Sequence, residues 1–329
     1  MRIVVARLDN DGDVLLAGPA IRAAAASGDV VLLCGPRGER AAGLLPGVGH
    51  VVRWHCPWIA HPAGEFSPEH VEWLRAVLVD LAADVALVLT SFHQSPLPLA
   101  LLLKLAGVPK VVARCTDYAG ALLDVRLRDD PDVPEAERAL SVARAAGFAL
   151  PPGDDGRLRV DAPESSVPGP YVVLHPGATA PARTWSPDRW ARAVTALAEA
   201  GHRVLVTGGP RETALTAHVA GVHGQDLGGR TTFAELAGVL RGADAVVVGN
   251  TGPAHLAAAV GTPVVSLFSP VVPATRWAPH GRHVLLGDQR APCRDTRARE
   301  CPVPGHPCLD DVTPAAVVAA VAELKGVRA

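Results

Sequence analysis

Short apolar runs along the chain alternate with segments whose apolar residues recur every three or four positions, the pattern of strands and amphipathic helices taken in turn. In the first half the pattern predicts a strand over Arg2–Arg7, a helix over Val14–Ala26, and strands over Val30–Leu33 and Val51–Arg53. A helix over Glu69–Ala82, a strand over Val85–Thr90, a helix over Pro98–Leu105 and a strand over Val111–Ala113 follow, then a helical pattern over Glu135–Ala146. The polar, proline- and glycine-rich stretch Pro151–Pro170 reads as a linker. Beyond it the alternation restarts: strand Tyr171–His175, helix Pro187–Ala200, strand Arg203–Thr207, a helix from about Arg211, helix Thr232–Leu240, strand Ala245–Val248, a helix entered near Pro253 and strand Pro263–Leu267. A last helix, Pro314–Lys325, closes the chain and is placed to pack back across the junction. Alternation of this kind builds parallel sheets covered by helices. The fold class is therefore α/β, with a Rossmann-like domain at 1–150, a linker at 151–170 and a second Rossmann-like domain at 171–329, facing each other across a cleft. The 329 residues agree with two domains of roughly 150.

The richest chemistry lies where predicted strands end, because ligands of such sheets sit beyond the carboxyl ends of the strands. After Ala245–Val248 the chain turns through Gly249, Asn250, Thr251 and Gly252 and enters a small-residue helix near Pro253. Backbone N–H groups at Gly252 to His255 and the helix dipole would favour a phosphate there. The turn HPGATAPARTW after Tyr171–His175 offers a glycine, the Thr179 hydroxyl and Arg183, whose planar guanidinium suits a diphosphate. In TGGPRE after Arg203–Thr207, Gly208 and Gly209 precede Glu212, a carboxylate suited to ribose hydroxyls or simply to the first turn of a helix. His255 fits either a ligand contact or a buried position on an alanine-rich helix.

The N-terminal turn LDNDGDVLLAGPAI places Asp9, Asp11 and Asp13 directly after the first strand, with Gly12 allowing a tight turn. It does not fit a calcium loop: Ala20 stands where the closing glutamate belongs and Val14 follows Asp13. Nor does it fit a phosphotransfer aspartate, since no threonine follows. Asp13 is left either as a cap of the next helix or as a cleft carboxylate.

Composition excludes several partners. A net charge of −2 with scattered arginines gives no footprint for nucleic acid. No positively charged leader precedes an apolar stretch, and no apolar run reaches the roughly 18 residues of a membrane span, so a cytoplasmic protein is expected, peripheral at the inner membrane at most. Cys34, Cys56 and Cys115 are dispersed, while Cys293, Cys301, His306 and Cys308 cluster at spacings unsuited to a zinc knuckle; a structural or redox-active loop is the expectation.

Taken together, GDVLLAGPAI, HPGATAPARTW, GGPRE, NTGPAHLAAAVGTPVVSLFSP and the tail with its Cys-Pro and Cys-Leu-x-x-Val-Thr-Pro segments resemble the bacterial heptosyltransferases, which take heptose from ADP-heptose. The resemblance spans essentially the whole chain. It implies the GT-B architecture and a metal-independent, inverting transfer with no cofactor. It implies Asp13 as general base and Arg183 at the donor diphosphate, with Gly12 and Thr179 beside it. It further implies Glu212 on the ribose behind Gly208 and Gly209, the backbone around Thr231 and Thr232 near adenine, and Asn250, Thr251, Gly252, Pro253 and His255 around diphosphate and sugar. The chain departs from the family in carrying Asn250 for an aspartate and Ser269-Pro270-Val271 for Gly-Pro-Thr/Ser. The donor would be a nucleotide sugar and the acceptor a glycan, a glycolipid or a small natural product. The segment Arg53–Phe66, with one arginine and with Trp54 and Trp58, favours an acceptor less anionic than lipopolysaccharide, the tryptophans serving a sugar, an apolar acceptor or the core. A GT-B nucleotide-sugar epimerase and a catalytically silent nucleotide-sugar-binding protein are the alternative readings.

Overall fold

The computed structural model describes residues 1–64, 66–129 and 131–326; Glu65 of the tryptophan-bearing segment and the last three residues of the second predicted domain lie outside them. The chain divides into two compact units, Met1–Asp161 and Ala162–Ala329, at a point inside the proline- and glycine-rich stretch. The first unit runs β1 (Arg2–Arg7), α1 (Asp11–Leu16), α2 (Gly18–Ala25), β2 (Asp29–Cys34), α3 (Glu39–Ala42), β3 (His50–Arg53), α4 (Pro68–Leu81), β4 (Val85–Val88), α5 (Leu97–Leu105), β5 (Lys110–Arg114), β6 (Val125–Leu127) and α6 (Glu135–Ala145). The second runs β7 (Val172–His175), a 3₁₀ turn (Pro181–Arg183), α7 (Pro187–Glu199), β8 (Val204–Val206), α8 (Thr213–Ala220), β9 (Gly224–Asp226), α9 (Phe233–Arg241) and β10 (Ala245–Gly249). It continues through α10 (Gly252–Ala259), β11 (Val264–Leu267), α11 (Ala274–Trp277), β12 (His283–Leu286), α12 (Pro307–Asp310) and α13 (Pro314–Gly326).

Each unit carries a six-stranded sheet, ordered β3-β2-β1-β4-β5-β6 and β12-β11-β10-β7-β8-β9. The strand pairings are parallel. Counted within its own unit, each order is 3-2-1-4-5-6, the doubly wound Rossmann arrangement, in which the winding reverses between the first and fourth strands. The reversal falls between β1 and β4 in one sheet and between β7 and β10 in the other. There the helices diverge and leave a crevice beyond the carboxyl ends of the strands. The two central strands of each sheet, β1 with β4 and β7 with β10, are almost wholly buried, so their hydrophobic runs fix both faces of the sheet.

The predicted helix Val14–Ala26 is two helices. Ala17 lies between them with helical backbone angles, and Pro19 in the first turn of α2 has no N–H to donate to the preceding turn. The first helix also begins earlier than the apolar period suggests, at Asp11, with Asn10 as its N-cap and Asp13 at its third position. Asp13 therefore belongs to a capping box and is not the cap itself. The last helix, α13, packs on α7 and against β10, β11 and β12 of its own unit. Trp54 is buried in the first unit's core, stacked on the His70 ring at 5.0 Å and met edge-on by Trp58 at 5.2 Å.

Candidate active site

In the second unit, parallel register sets three turns side by side. Val248 pairs with His175, and Leu174 with Val206. The turns that follow β10, β7 and β8 therefore leave one edge of the sheet together. The chain packs them tightly enough to need glycine. A Cβ on Gly177 would lie 2.0 Å from a Glu212 carboxylate oxygen, and one on Gly208 would lie 3.3 Å from both that carboxylate and the Glu212 Cβ. The Gly209 N–H donates to Glu212 Oε2 at 2.6 Å. Glu212 thus sits in a cradle of three glycines, with one oxygen held and the other facing the Gly177 backbone. Below it His175 is buried, its Nδ1 3.0 Å from the Thr207 hydroxyl. Burial pushes the His175 pKa down, with the charge of Glu212 opposing.

Gly249 brings the second group into place. A Cβ there would lie 2.6 Å from the Arg183 carbonyl oxygen, so a bare backbone at the end of β10 admits the Pro181–Arg183 turn beside the Asn250–Gly252 corner. Thr251 is the N-cap of α10, with Gly252 and Pro253 at its first two positions. Pro253 has no N–H and the Ala254 N–H donates to Thr251 O at 3.0 Å, so the anion-facing donors are fewer than the run Gly252 to His255 promised. The Thr251 hydroxyl is buried and, among the described residues, has no hydrogen-bond partner. His255 is buried one turn into α10. Thr179 is exposed, its carbonyl held by the Arg299 guanidinium at 2.9 Å.

Asn250 does something else. Its Nδ2 donates to Ser269 O at 3.1 Å and its Oδ1 accepts from the Ser269 N–H at 3.3 Å. The amide therefore clamps the β10 turn to the β11 turn. Val271 is buried in the second unit's core. Thr232 is the N-cap of α9 in a reciprocal box with Glu235, at 2.7 Å and 3.2 Å, and half-buried Thr231 precedes it.

The first unit gathers a different chemistry at its own crevice. Arg7, the last residue of β1, is 3 % exposed and meets three carboxylates: Asp9 at 2.9 Å, Asp13 at 3.0 Å and Glu135 at 3.8 Å. Burial works against the guanidinium charge, but the three acids outweigh it and hold Arg7 protonated more firmly than usual. Asp9 is pushed up to about 6 by burial and by Asp13, with Arg7 opposing. Gln94 donates to its other oxygen at 2.5 Å, bridging β1 to the loop after β4. Asp11 faces away and is tied to Arg40 and to the Ala41 N–H. Gly12 is buried in α1.

A family model for glycosyltransferase family 9 (heptosyltransferase) matches residues 82–305, well over half of the chain. The chain belongs to glycosyltransferase family 9. It is 29 % identical over 194 residues to lipopolysaccharide heptosyltransferase 3 of Escherichia coli, covering 56 % of this chain and 55 % of that protein. It is 32 % identical over 163 residues to lipopolysaccharide heptosyltransferase 1 of Pseudomonas aeruginosa, covering 48 % and 46 %. The chain thus spans about half the length of these curated relatives. Its fold matches that of an E. coli ADP-heptose heptosyltransferase II (TM-score 0.73, 20 % identity, 99 % of this chain and 98 % of that one). An E. coli heptosyltransferase solved with ADP gives a TM-score of 0.74 at 19 % identity, covering 98 % and 100 %. The GT-B fold expected from the motifs is the observed one.

The structure brings Glu212, Gly208, Gly209 and the residues from Asn250 to Pro253 to one edge of the second sheet, and the Arg183 backbone beside them. Asp13 and Gly12 belong to the first unit. Sequence reasoning missed Arg7 beside Asp13, its further partners Glu135 and Ser91, whose hydroxyl lies 2.8 Å from Arg7 Nη2, Gln94 on Asp9, and Ser269 opposite Asn250. The signal for Arg7 was present: a charged residue closing an otherwise apolar strand needs buried partners. Glu135 carried no such mark among the charges of α6. Among the described residues no group of three or more His, Cys, Asp and Glu is placed to hold a metal ion. Buried Cys308 donates to the Ser269 hydroxyl and contacts the Cys293 thiol, and burial pushes it up to about 12. No described helix is long and apolar enough to cross a membrane.

Proposed function

We propose that this chain transfers a heptose or closely related sugar from an ADP-sugar to an acceptor hydroxyl, without a metal and with inversion at the anomeric carbon. The observation that carries the reading is the glycine cradle of Glu212 set beside the Arg183 turn and the α10 N-terminus, at the point where the second sheet reverses its winding. Such a place takes a nucleotide: a carboxylate accepts from the ribose diol, while a cation and a helix N-terminus meet the diphosphate. Arg183, Thr251 and the Gly252 end of α10 then stabilise the charge that develops on the departing ADP. Asp13 takes the proton of the attacking hydroxyl, and thirteen residues into the chain it is the acidic side chain of its crevice that stays open to solvent, at 20 % exposure. With Asn250 already engaged, the donor sugar is read without a carboxylate at that position. The acceptor is a glycan, a glycolipid or a small natural product, met by the first unit.

Thermal-shift measurements against ADP, UDP, GDP, dTDP and ADP-heptose, without added metal, test this. Stabilisation by ADP and ADP-heptose is expected, because a ligand bound only by the folded state raises its stability with occupancy. Stabilisation by a uridine, guanosine or thymidine nucleotide alone would overturn the donor assignment.

A further inference from the structure

The guanidinium of Arg7 is fixed from four elements. It leaves β1, shares Nη2 between Asp13 Oδ1 of α1 at 3.0 Å and Ser91 Oγ after β4 at 2.8 Å, and faces Asp9 through Nε and Glu135 of α6 through Nη1. We infer that Arg7 is the positioning residue of the transfer site, holding the Asp13 carboxylate in the orientation from which it takes the acceptor's proton. The inference rests on Asp13 as the base and adds what sets its direction. Among the described residues Asp13 has one other donor, the Asn10 N–H at 3.5 Å, which is too long to fix it alone. The three acids on Arg7 are not equivalent. Asp9 has both oxygens engaged and Glu135 is 1 % exposed, whereas Asp13 keeps a solvent-facing edge. Arg37 also faces Asp9, and Arg138 lies 3.8 Å from Glu135 and donates to the Thr90 carbonyl. These contacts hold Asp9 and Glu135 behind the guanidinium, so that it is pinned from the rear while its front edge presents Asp13. A planar fork held this way restricts the carboxylate more than a rotating ammonium does.

The test uses full-length protein, with ADP-heptose as donor and water as acceptor, and reads ADP release. In parallel, aspartate labelled with carbon-13 at the carboxyl is followed by NMR, with Asp9→Asn and Asp13→Asn assigning the resonances. Arg7→Met is expected to slow ADP release about 10- to 100-fold, the loss that follows from a misplaced reacting group. It should leave ADP affinity within two-fold, shift the Asp13 resonance at pH 7, and move the Asp9 titration upward from about 6. Arg7→Lys, which keeps the charge without the fork, should return the Asp9 titration towards wild type and leave the rate low. A strut that only supports the fold would lower the melting temperature and leave the Asp13 resonance and the rate unchanged in both variants, and that result overturns the inference. If Arg7→Met does not fold, Arg7→Lys decides by the same two readouts. Asp13→Asn separates the two ideas: an inactive Asp13→Asn beside fully active Arg7 variants removes the positioning role alone. A fully active Asp13→Asn removes the base and the positioning role with it.

Discussion

At the scale of single residues, the second unit separates groups that read a ligand from groups that shape the turn. Asn250 shapes it: its amide donates to the Ser269 carbonyl and accepts from the Ser269 N–H, a pair of bonds that an ionised carboxylate cannot make. Asn250→Asp would set a carboxylate against a buried carbonyl oxygen. A loss of about 1–3 kcal/mol in urea unfolding is expected, the cost of a buried acceptor left unsatisfied. A loss under about 0.5 kcal/mol, the range of surface substitutions, would deny the clamp. Glu212 is the group proposed to read the ligand, and Gly177 makes room for its carboxylate. Gly177→Ala places a methyl group where the carboxylate now lies, so ADP affinity should fall about 10-fold or more by calorimetry, as a lost charged hydrogen bond of about 1.5–3 kcal/mol requires.

At the scale of elements, two joints can be tested by stability. Arg22 on α2 donates to Asp154 at 2.6 and 3.0 Å, pinning the end of the first unit to its second helix. The Arg22 guanidinium holds the Asp154 carboxyl down to about 2. Its folded pKa lies below the unfolded value of about 3.9, so the stabilisation is complete above about pH 4 and is lost as pH falls through about 2. Asp154→Asn should cost roughly 2–3 kcal/mol at pH 7 and flatten that acid limb, measured by denaturant melts across pH. Thr232 caps α9, so Thr232→Ala should cost about 1 kcal/mol and leave ADP affinity unchanged. A loss of affinity would give the side chain a ligand role instead. These joints also mark the limit of what the sequence discloses. The central strands were legible because continuous apolar runs admit little but a buried strand. The edge strands β6 and β9 were not: Val125–Leu127 is only half-buried, and Gly224–Asp226 is short and polar. The glycine turns after three strands pointed to one edge of the second sheet, and the parallel register sets them side by side there. The Arg7 cluster was hidden because its members come from β1, α1, the loop after β4 and α6, up to 128 residues apart, and only the strand order brings them together.

At the scale of the whole molecule, one winding order occurs twice and is given two chemistries. The reversal between β7 and β10 collects glycines, Arg183 and a helix N-terminus, an environment for an anion. The reversal between β1 and β4 collects Asp9, Asp13 and Glu135 around one guanidinium, where proton removal is proposed. If donor binding and proton removal are divided between the units as proposed, substitutions in them should separate cleanly. Asp13→Asn keeps its size and leaves every group of the second unit in place, so its dissociation constant for ADP should stay within two-fold of wild type. Its rate of sugar transfer should fall by about 10²- to 10⁴-fold, the range of a lost general base. Glu212→Gln should do the reverse at saturating donor: ADP binding weakens by about 10-fold, and kcat changes little, because a contact made equally in ground state and transition state sets KM. Calorimetry with ADP and initial rates over donor concentration measure both variants in one series. Equal damage to binding and turnover in each would mean that the acidic crevice and the glycine edge do not act as separate halves of one reaction.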